Sequence, residues 1–139
     1  MTPVNMTRTI SIAAALIDDG EGKVFLVRKR GTTAFMQAGG KIELGETAFA
    51  ALVRELTEEL RFTPVEAEVR YLGTFTSQAA NEPGHLLQAA LFHIRLRREF
   101  HIAAELEEAI WLPIERAYKL HLAPFTRNHV LPLARSLNA

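Results

Sequence analysis

The chain has 139 residues, of which 48% are hydrophobic and 23% are charged, an ordinary balance for one globular domain with a sizeable core. Sixteen basic residues match sixteen acidic ones, so no net field attracts the chain to nucleic acid or to an anionic membrane. The absence of cysteine excludes a disulfide framework, a zinc–thiolate site and a cysteine nucleophile.

The N-terminal segment lacks the charged region and the long apolar run of a signal peptide. Its longest apolar run, residues 12–17, is too short to span a bilayer. We therefore expect a single domain over residues 1–139 that is cytoplasmic, is a monomer or a homodimer, and has neither a membrane nor a nucleic acid as partner.

The first half of the chain predicts two strands and one long helix. Residues 9–18 read as a buried strand, and residues 24–29 form the strand that returns after a glycine-containing turn. A loop over residues 31–40 ends in two glycines and precedes a helix with Thr47 as its N-cap. Apolar side chains recur along that helix at helical spacing: Phe49, Leu52, Val53, Leu56 and Leu60.

The second half predicts three more strands and two more helices. The strands cover residues 67–77, 85–96 and 107–114, and the helices cover residues 115–120 and 127–137. Pro132 is a weak point in the last helix, because proline lacks the backbone N–H. Strands around one long helix, with another helix at the end, indicate an α/β fold with a mixed sheet covered by helices.

Three carboxylates of the long helix share one face, since Glu55, Glu58 and Glu59 are spaced i, i+3 and i+4. Like charges at this spacing destabilise a helix by roughly 0.2–0.5 kcal/mol per pair. The C-terminal half of a helix also favours cations, so local helix chemistry does not explain these residues. A hard divalent cation would, because Mg²⁺ takes oxygen ligands from carboxylates and substrate phosphates. A solvated acidic face is the ordinary alternative.

The residues in front of the carboxylates favour the cation. Gly39 and Gly40 let the backbone approach an ion or a phosphate closely. Glu46 lies between this glycine loop and the helix, and Arg54 precedes Glu58 by four residues and can hold its carboxylate. A turn that presents a carbonyl, followed by a helix that presents three carboxylates, predicts a cation site.

The stretch from Gly40 to Phe62 resembles the Nudix box, G-x5-E-x7-R-E-U-x-E-E-x-G-U, in which U is a bulky aliphatic residue. The positions that match are Gly40, Glu46, Arg54, Glu55, Leu56, Glu58 and Glu59. Phe62 fills the last apolar position with an aromatic ring. Arg61 stands where the box has a glycine after the helix, at a position where a positive φ is expected. Arginine there costs roughly 1 kcal/mol, or the helix runs further, so we expect altered helix termination rather than lost chemistry.

The resemblance implies an α/β/α sandwich around a central mixed sheet. It also implies hydrolysis of a nucleoside diphosphate linked to another group X. Water attacks phosphorus, and Mg²⁺ ions, with Mn²⁺ as a substitute, neutralise the diphosphate and activate the water.

The same resemblance assigns roles to individual residues. It implies that Glu55, Glu58 and Glu59 are metal ligands, that one of them accepts the proton of the water, and that the carbonyl of Gly39 is a further ligand. Glu46 and Arg54 would orient these groups. Some members take another carboxylate from a loop beyond the sheet; of three candidates we favour Glu105 over its neighbours Glu107 and Glu108, with exposed surface charges as the alternative.

The residues around the box resemble the MutT-type, nucleotide-pool-sanitising branch, although Ala38 stands where that branch usually has proline. Arg28 matches a position at which this branch often has a basic substrate contact, with an ordinary surface arginine as the alternative. Asn128 lies near the start of the last predicted helix, where sanitising members place an asparagine that faces the base. An N-terminal helix cap is the alternative for Asn128.

The leading interpretation is therefore a Mg²⁺-dependent pyrophosphohydrolase that converts a (deoxy)nucleoside triphosphate to monophosphate and pyrophosphate. One alternative keeps the chemistry and changes X to ADP-ribose, a nucleotide sugar or another group. A second alternative is a Nudix-like module that binds nucleotide without catalysis. Three carboxylates argue against that module, because binding alone needs fewer ligands. The five histidines lack metal-ligand spacing, and no serine lies in a G-x-S-x-G turn.

Overall fold

The computed structural model describes residues 8–139. These residues form seven strands and three helices: β1 Thr9–Asp18, β2 Lys23–Lys29, β3 Phe35–Met36, β4 Gly39–Lys41, α1 Ala48–Leu60, β5 Val69–Gln78, β6 Leu86–Arg95, β7 Leu106–Pro113, α2 Ile114–Ala117 and α3 Leu131–Leu137. A 3₁₀ turn, Glu66–Glu68, precedes β5, and a π-helical turn, Thr126–Val130, leads into α3.

All seven strands belong to one mixed sheet. β1 and β6 run parallel over their whole length, from the pair Thr9–Leu86 to the pair Asp18–Arg95. The other strand pairs are antiparallel: β1 with β2 and β4, β2 with β3 and β7, and β5 with β6. The prediction of a mixed sheet is confirmed.

The two central strands diverge and leave a gap that the glycine loop fills. β1 and β2 pair at one end, where Ile17 lies opposite Phe25. Further along, β3 pairs with β2 and β4 pairs with β1, and the N–H of Ala15 donates to the carbonyl of Ala38 at 3.0 Å. The segment predicted as a loop therefore contains two short strands, because two or three residues carry no readable period.

Helices cover both faces of the sheet. On one face, α1 buries Leu52 and Leu56 against residues that include Val27 of β2. On the other face, α2 and α3 pack with Leu26, the next residue back along β2, which lies in the same cluster as Leu131. Successive strand residues point to opposite faces, so β2 contributes to both clusters. The arrangement is the expected α/β/α sandwich.

The end of α1 departs from the expectation of altered termination. The helix ends at Leu60, and Arg61 adopts the left-handed conformation, with φ 53° and ψ 38°. The N–H of Arg61 donates to the carbonyl of Thr57 at 3.1 Å, and the N–H of Phe62 donates to that of Leu56 at 3.4 Å. The bond from Arg61 to Thr57 is the one that defines the αL type of helix end, in which glycine usually follows the helix. Arg61 therefore adopts a strained backbone conformation, and α1 ends at the same position as it would if a glycine followed it.

The C-terminal helical segment is divided in two. The π-helical turn comes first, and Pro132 is the second residue of α3, which continues directly from that turn. The predicted weak point therefore marks the junction between a wide turn and a regular helix. Within residues 8–139, no helix is long and apolar enough to cross a membrane.

A buried ionic cluster closes the sheet at the far end of β1. Asp18 is fully buried, and its carboxylate lies 2.9 Å from Nε2 of His93. It accepts hydrogen bonds from Arg95 at 3.1 Å and from Nδ2 of Asn138 at 2.7 Å. Burial acts to raise the pKa of Asp18, but these hydrogen bonds outweigh it and lower the pKa to about 2. The cluster ties β1 and β6 to the residue that follows α3.

Candidate functional site

Arg54 is the centre of an ion-pair network on α1. Its Nε and Nη2 donate to the carboxylate of Glu46 at 2.7 and 2.8 Å, and Nη1 donates to Glu55 at 2.8 Å. Nη2 also donates to the carbonyl of Lys41 at 2.9 Å. Glu58, the partner expected from the i, i+4 spacing, lies 3.9 Å from Nη1, too far for a hydrogen bond. Arg54 therefore holds Glu46 and Glu55 rather than Glu58.

Glu46 lies directly before Thr47, which caps α1 as predicted by accepting a hydrogen bond from the N–H of Ala50 at 3.1 Å. Hydrogen bonds from Arg54 and from the N–H of Glu43 lower the pKa of Glu46 to about 2, against the opposing effect of desolvation. Glu46 is thus a carboxylate whose partners come from its own chain, and it fixes the position of Arg54.

Both glycines of the loop lie in close contacts, that of Gly39 with the backbone of β1 and that of Gly40 with the end of a side chain. Gly39 has φ 147°, and a Cβ at this position would overlap the carbonyl oxygen of Ala13 in β1. A Cβ at Gly40 would overlap the carboxylate of Glu55. The first glycine lets the loop pack on the sheet, and the second makes room for an acidic side chain of α1.

Glu59 is a buried carboxylate with few partners. It is 2% exposed, and its Oε1 accepts a hydrogen bond from the N–H of Gly39 at 3.0 Å. Burial raises its pKa to about 7, and the charges of Glu55 and Glu105 act in the same direction. The Gly39 hydrogen bond and the charge of Lys29 lower the pKa without offsetting the burial. A cation placed beside this carboxylate would remove the penalty for its ionised form.

The donors in this region fit a hard divalent cation by their chemistry, because carboxylates and a glycine-loop carbonyl are all oxygen ligands. In the described part of the chain, however, no three histidine, aspartate or glutamate side chains already converge as a metal cluster. The side chain of Glu58 is 54% exposed, and Glu55 is engaged by Arg54. Binding would therefore require these two carboxylates to turn toward the ion.

An open cleft adjoins the glycine loop and has an empty volume of about 710 Å³, part of which is continuous with solvent. Its walls come from the exposed part of β1, the glycine loop, the connection between β5 and β6, and the residues just before α3. Gly39 and Gly40 line it together with two basic residues, Lys29 and Lys41. The same glycine backbone therefore touches both the cleft and the carboxylates of α1.

The NUDIX domain family matches residues 7–134, almost the whole chain. The chain belongs to the Nudix family. It is 40% identical over 62 residues to the 8-oxo-dGTP diphosphatase of Escherichia coli (strain K12), a match that covers 41% of this chain and 47% of that relative. The chain thus spans about half the length of this curated relative.

The Nudix fold extends over most of the chain in comparisons of structure. The E. coli ORF135 protein superposes with a TM-score of 0.74 at 26% identity, over 99% of this chain and 96% of that one. The E. coli dihydroneopterin triphosphate pyrophosphohydrolase superposes with a TM-score of 0.76 at 19% identity, over 91% and 95% of the two chains. The second likeness concerns the fold alone. Nudix hydrolases generally use divalent metals, in agreement with the oxygen donors described above.

Arg28, expected near the substrate, lies outside the residues that line the cleft of this Nudix protein. Its Nε and Nη2 donate to Glu108 at 2.9 and 2.8 Å, and its Nη1 donates to the carbonyl of Thr32 at 2.7 Å. Side chains alternate along β2, so Lys29, two residues after Val27, belongs to the face of the sheet that α1 covers. The role of Arg28 as a substrate contact stays a prediction, and its contacts favour the surface alternative.

Of the three glutamates considered as a further metal ligand, Glu105 lies in the loop before β7, whereas Glu107 and Glu108 lie in β7 itself. Arginines pair with Glu107 and Glu108, at 2.9 and 2.8 Å. Glu105 is close enough to Glu59 for its charge to raise the pKa of that residue. The N–H of Ala103 donates to the carbonyl of Glu59 at 2.9 Å, which fixes the loop against α1. These contacts favour Glu105, as the sequence did.

Asn128 lies inside the π-helical turn and is exposed. The helix-cap alternative for Asn128 is wrong, because the residue at the N-cap of this turn is Phe125 and helical structure begins ahead of Asn128. As a base contact, Asn128 stays a prediction. The cleft residues that sequence reasoning missed include Lys29, Gln37, Lys41 and Thr126. Strand alternation could have found Lys29, and a lone amide in the apolar stretch before the glycines could have drawn attention to Gln37.

Proposed function

We propose that this Nudix protein hydrolyses a (deoxy)nucleoside triphosphate to the monophosphate and pyrophosphate, with Mg²⁺ as its metal and Mn²⁺ as a substitute. The main support is the position of Glu59. A buried carboxylate short of partners meets the N–H of Gly39, and the same glycine lines the cleft. Metal ligands and substrate would therefore meet across one stretch of backbone. The name of the E. coli relative, 8-oxo-dGTP diphosphatase, supports a nucleotide substrate.

Each group of residues has a separate task in this proposal. Glu55, Glu58 and Glu59, the carbonyl of Gly39 and the carboxylate of Glu105 would hold the metal. When bound, a divalent ion neutralises the diphosphate and lowers the pKa of a water. Arg54 and Glu46 hold the acidic side chains in position through the hydrogen bonds described above. One of the carboxylates accepts the proton of the attacking water, and Lys29, Lys41 and the backbone of Gly40 contact the phosphates.

The bond that breaks follows from where the ligands lie. The carboxylates and lysines engage phosphates rather than the base, so water attacks within the polyphosphate chain. We further propose that the attack occurs at the phosphorus nearest the sugar. In ¹⁸O-labelled water with Mg²⁺ and a purine nucleoside triphosphate, we expect label in the monophosphate and pyrophosphate as co-product. Chelation should stop the reaction, and Mg²⁺ or Mn²⁺ should restore it. Orthophosphate as the first product would contradict the proposal.

The same assay separates the alternatives. Turnover of ADP-ribose or a nucleotide sugar in preference to every triphosphate would keep the chemistry and change X. No turnover of any of these compounds would indicate a module that binds nucleotide without catalysis. The cytoplasmic location, the single domain over residues 1–139 and the monomeric or homodimeric state stay predictions.

A further inference from the structure

Gln37 carries an amide nitrogen that the protein itself leaves unsatisfied. The residue is 6% exposed and lies between β3 and β4, where it lines the cleft. Its Oε1 accepts a hydrogen bond from the hydroxyl of Thr126 at 3.1 Å. Its Nε2 has no hydrogen-bond partner within residues 8–139, and no other buried side-chain nitrogen or oxygen in this range shares that condition. A buried donor without an acceptor costs free energy, so its retention needs a reason.

Thr126 contacts the oxygen end of the amide and leaves the nitrogen end without a partner in the described part of the chain. It is fully buried, and its hydroxyl takes the oxygen side of Gln37. The nitrogen side then remains, and it offers two N–H donors and no acceptor. The cleft therefore presents a site that matches an acceptor on a ligand and repels a donor.

The rest of the cleft indicates which part of a nucleotide reaches this site. Lys29, Lys41 and the glycine loop give the phosphates a basic region. Apolar side chains of Ile12 and Phe125 also line the cleft and suit the flat faces of a base. The acceptor that meets Gln37 would thus belong to the base.

We propose that Gln37, whose amide oxygen contacts Thr126, selects nucleotides whose base carries a carbonyl oxygen where the alternative base carries an amino group. This inference rests on the proposed nucleotide substrate. Guanine has O6 where adenine has an amino group, and uracil has O4 where cytosine has one. A carbonyl oxygen accepts from Nε2, whereas an amino group directs hydrogens at hydrogens and leaves both groups unpaired. Gln37 is thus a specificity-determining residue.

The test compares kcat/KM for GTP, ATP, UTP and CTP in the full chain with Mg²⁺. We expect the wild-type GTP/ATP and UTP/CTP ratios to exceed one. Gln37→Met keeps the length of the side chain and removes the donor, so both ratios should fall by about tenfold, the effect of roughly one hydrogen bond. Gln37→Glu replaces the nitrogen by an acceptor oxygen and should lower both ratios further.

Two more variants separate recognition from a structural role. Thr126→Val removes the hydroxyl that contacts the amide oxygen, so the amide can rotate. The two ratios should therefore fall, by less than in Gln37→Met. Gln88→Met is the matched control, because Gln88 is exposed on β6 and does not line the cleft. It should keep both ratios. A purely structural role for Gln37 would lower the melting temperature of its variants and leave the ratios unchanged.

Unchanged ratios in folded Gln37→Met and Gln37→Glu would overturn the inference, as would a wild-type preference for ATP and CTP. If one Gln37 variant does not fold, the other and Thr126→Val decide. If the chain turns over none of the four triphosphates, the proposed function fails separately. The same ratios are then taken from Kd values measured by calorimetry, and equal Kd values or no binding would overturn the base selection.

Discussion

Asp18 and Glu59 are both buried carboxylates, and the protein treats them in opposite ways. Asp18 receives hydrogen bonds from side chains of its own chain, and these outweigh the burial, so its pKa falls to about 2. Glu59 receives a hydrogen bond from the N–H of Gly39, and burial prevails, so its pKa rises to about 7. The residue types are nearly alike, and the burial is similar.

The difference separates structure from function. A buried carboxylate whose partners are supplied by its own chain holds elements together, as Asp18 does for β1, β6 and the residue after α3. A buried carboxylate that is short of partners is suited to a ligand from outside, which is the role proposed for Glu59. Substitution of the first should change stability, and substitution of the second should change activity.

The largest expected effect is on turnover at the acidic face of α1. Glu59→Gln or Glu58→Gln should lower kcat by more than about 100-fold, since even the outer partners of a metal site are worth roughly 10–100-fold. Neither variant should unfold, because each removes one of several like charges from a single helix face. Steady-state kinetics at saturating Mg²⁺ and thermal melting measure both effects.

Glu66→Gln is the control for this pair, because Glu66 is an exposed glutamate in the 3₁₀ turn beyond α1. It should retain full turnover. Wild-type turnover in both Glu58→Gln and Glu59→Gln would show that the site has been placed wrongly and would remove the contrast with Asp18.

Asp18→Asn should act on stability. It replaces an acceptor of charge-assisted hydrogen bonds by an amide, so the free energy of unfolding should fall by about 2–3 kcal/mol. Turnover per folded molecule should stay unchanged. Glu115→Gln is the exposed comparison: it loses an ion pair with Arg135 at 3.0 Å and should cost under about 1 kcal/mol. Urea denaturation measures both variants. If Asp18→Asn and Glu115→Gln lost equal free energies of unfolding, the buried cluster would have no special role in stability.

The pKa of Asp18 also predicts how stability depends on pH. The folded value, about 2, lies below the unfolded value of 3.8, so between them the unfolded chain binds more protons and stability rises with pH. The contribution of about 2 kcal/mol is present above pH 3.8 and is lost as the pH falls through about 2. Urea denaturation of the wild type and of Asp18→Asn over this range should show a step in the difference. A constant difference would mean that Asp18 titrates normally.

The smallest effect concerns the backbone that follows Glu59. Arg61→Gly should raise the free energy of unfolding by roughly 0.5–1 kcal/mol, because the relief of left-handed strain exceeds the added chain entropy of glycine. Arg61→Ala keeps the strain and should give no such gain. Both should keep wild-type kcat, since the carboxylates lie on the helix before this turn. A large loss of kcat in Arg61→Gly would show that the proposed metal site also depends on the conformation of the helix end.

The local sequence pattern was sufficient to predict the strand and the helix nearest the carboxylates. The strand over Thr9–Asp18 and the helix capped by Thr47 have the positions that periodicity and capping chemistry predict. The spacing of Glu55, Glu58 and Glu59 is sufficient to place them on one helix face. These features depend on residues a few positions apart, which a sequence shows directly.

The sequence by itself therefore determined the family, the central helix and its acidic face. Tertiary structure alone decided which charges were already paired and which were not. Gln37 meets Thr126 across 89 positions, and Asp18 meets Asn138 across 120. Such partners depend on how the sheet brings distant segments together, so no local period predicts them. For the same reason, the pKa of Glu59 and the unsatisfied amide of Gln37 became visible only in the folded chain.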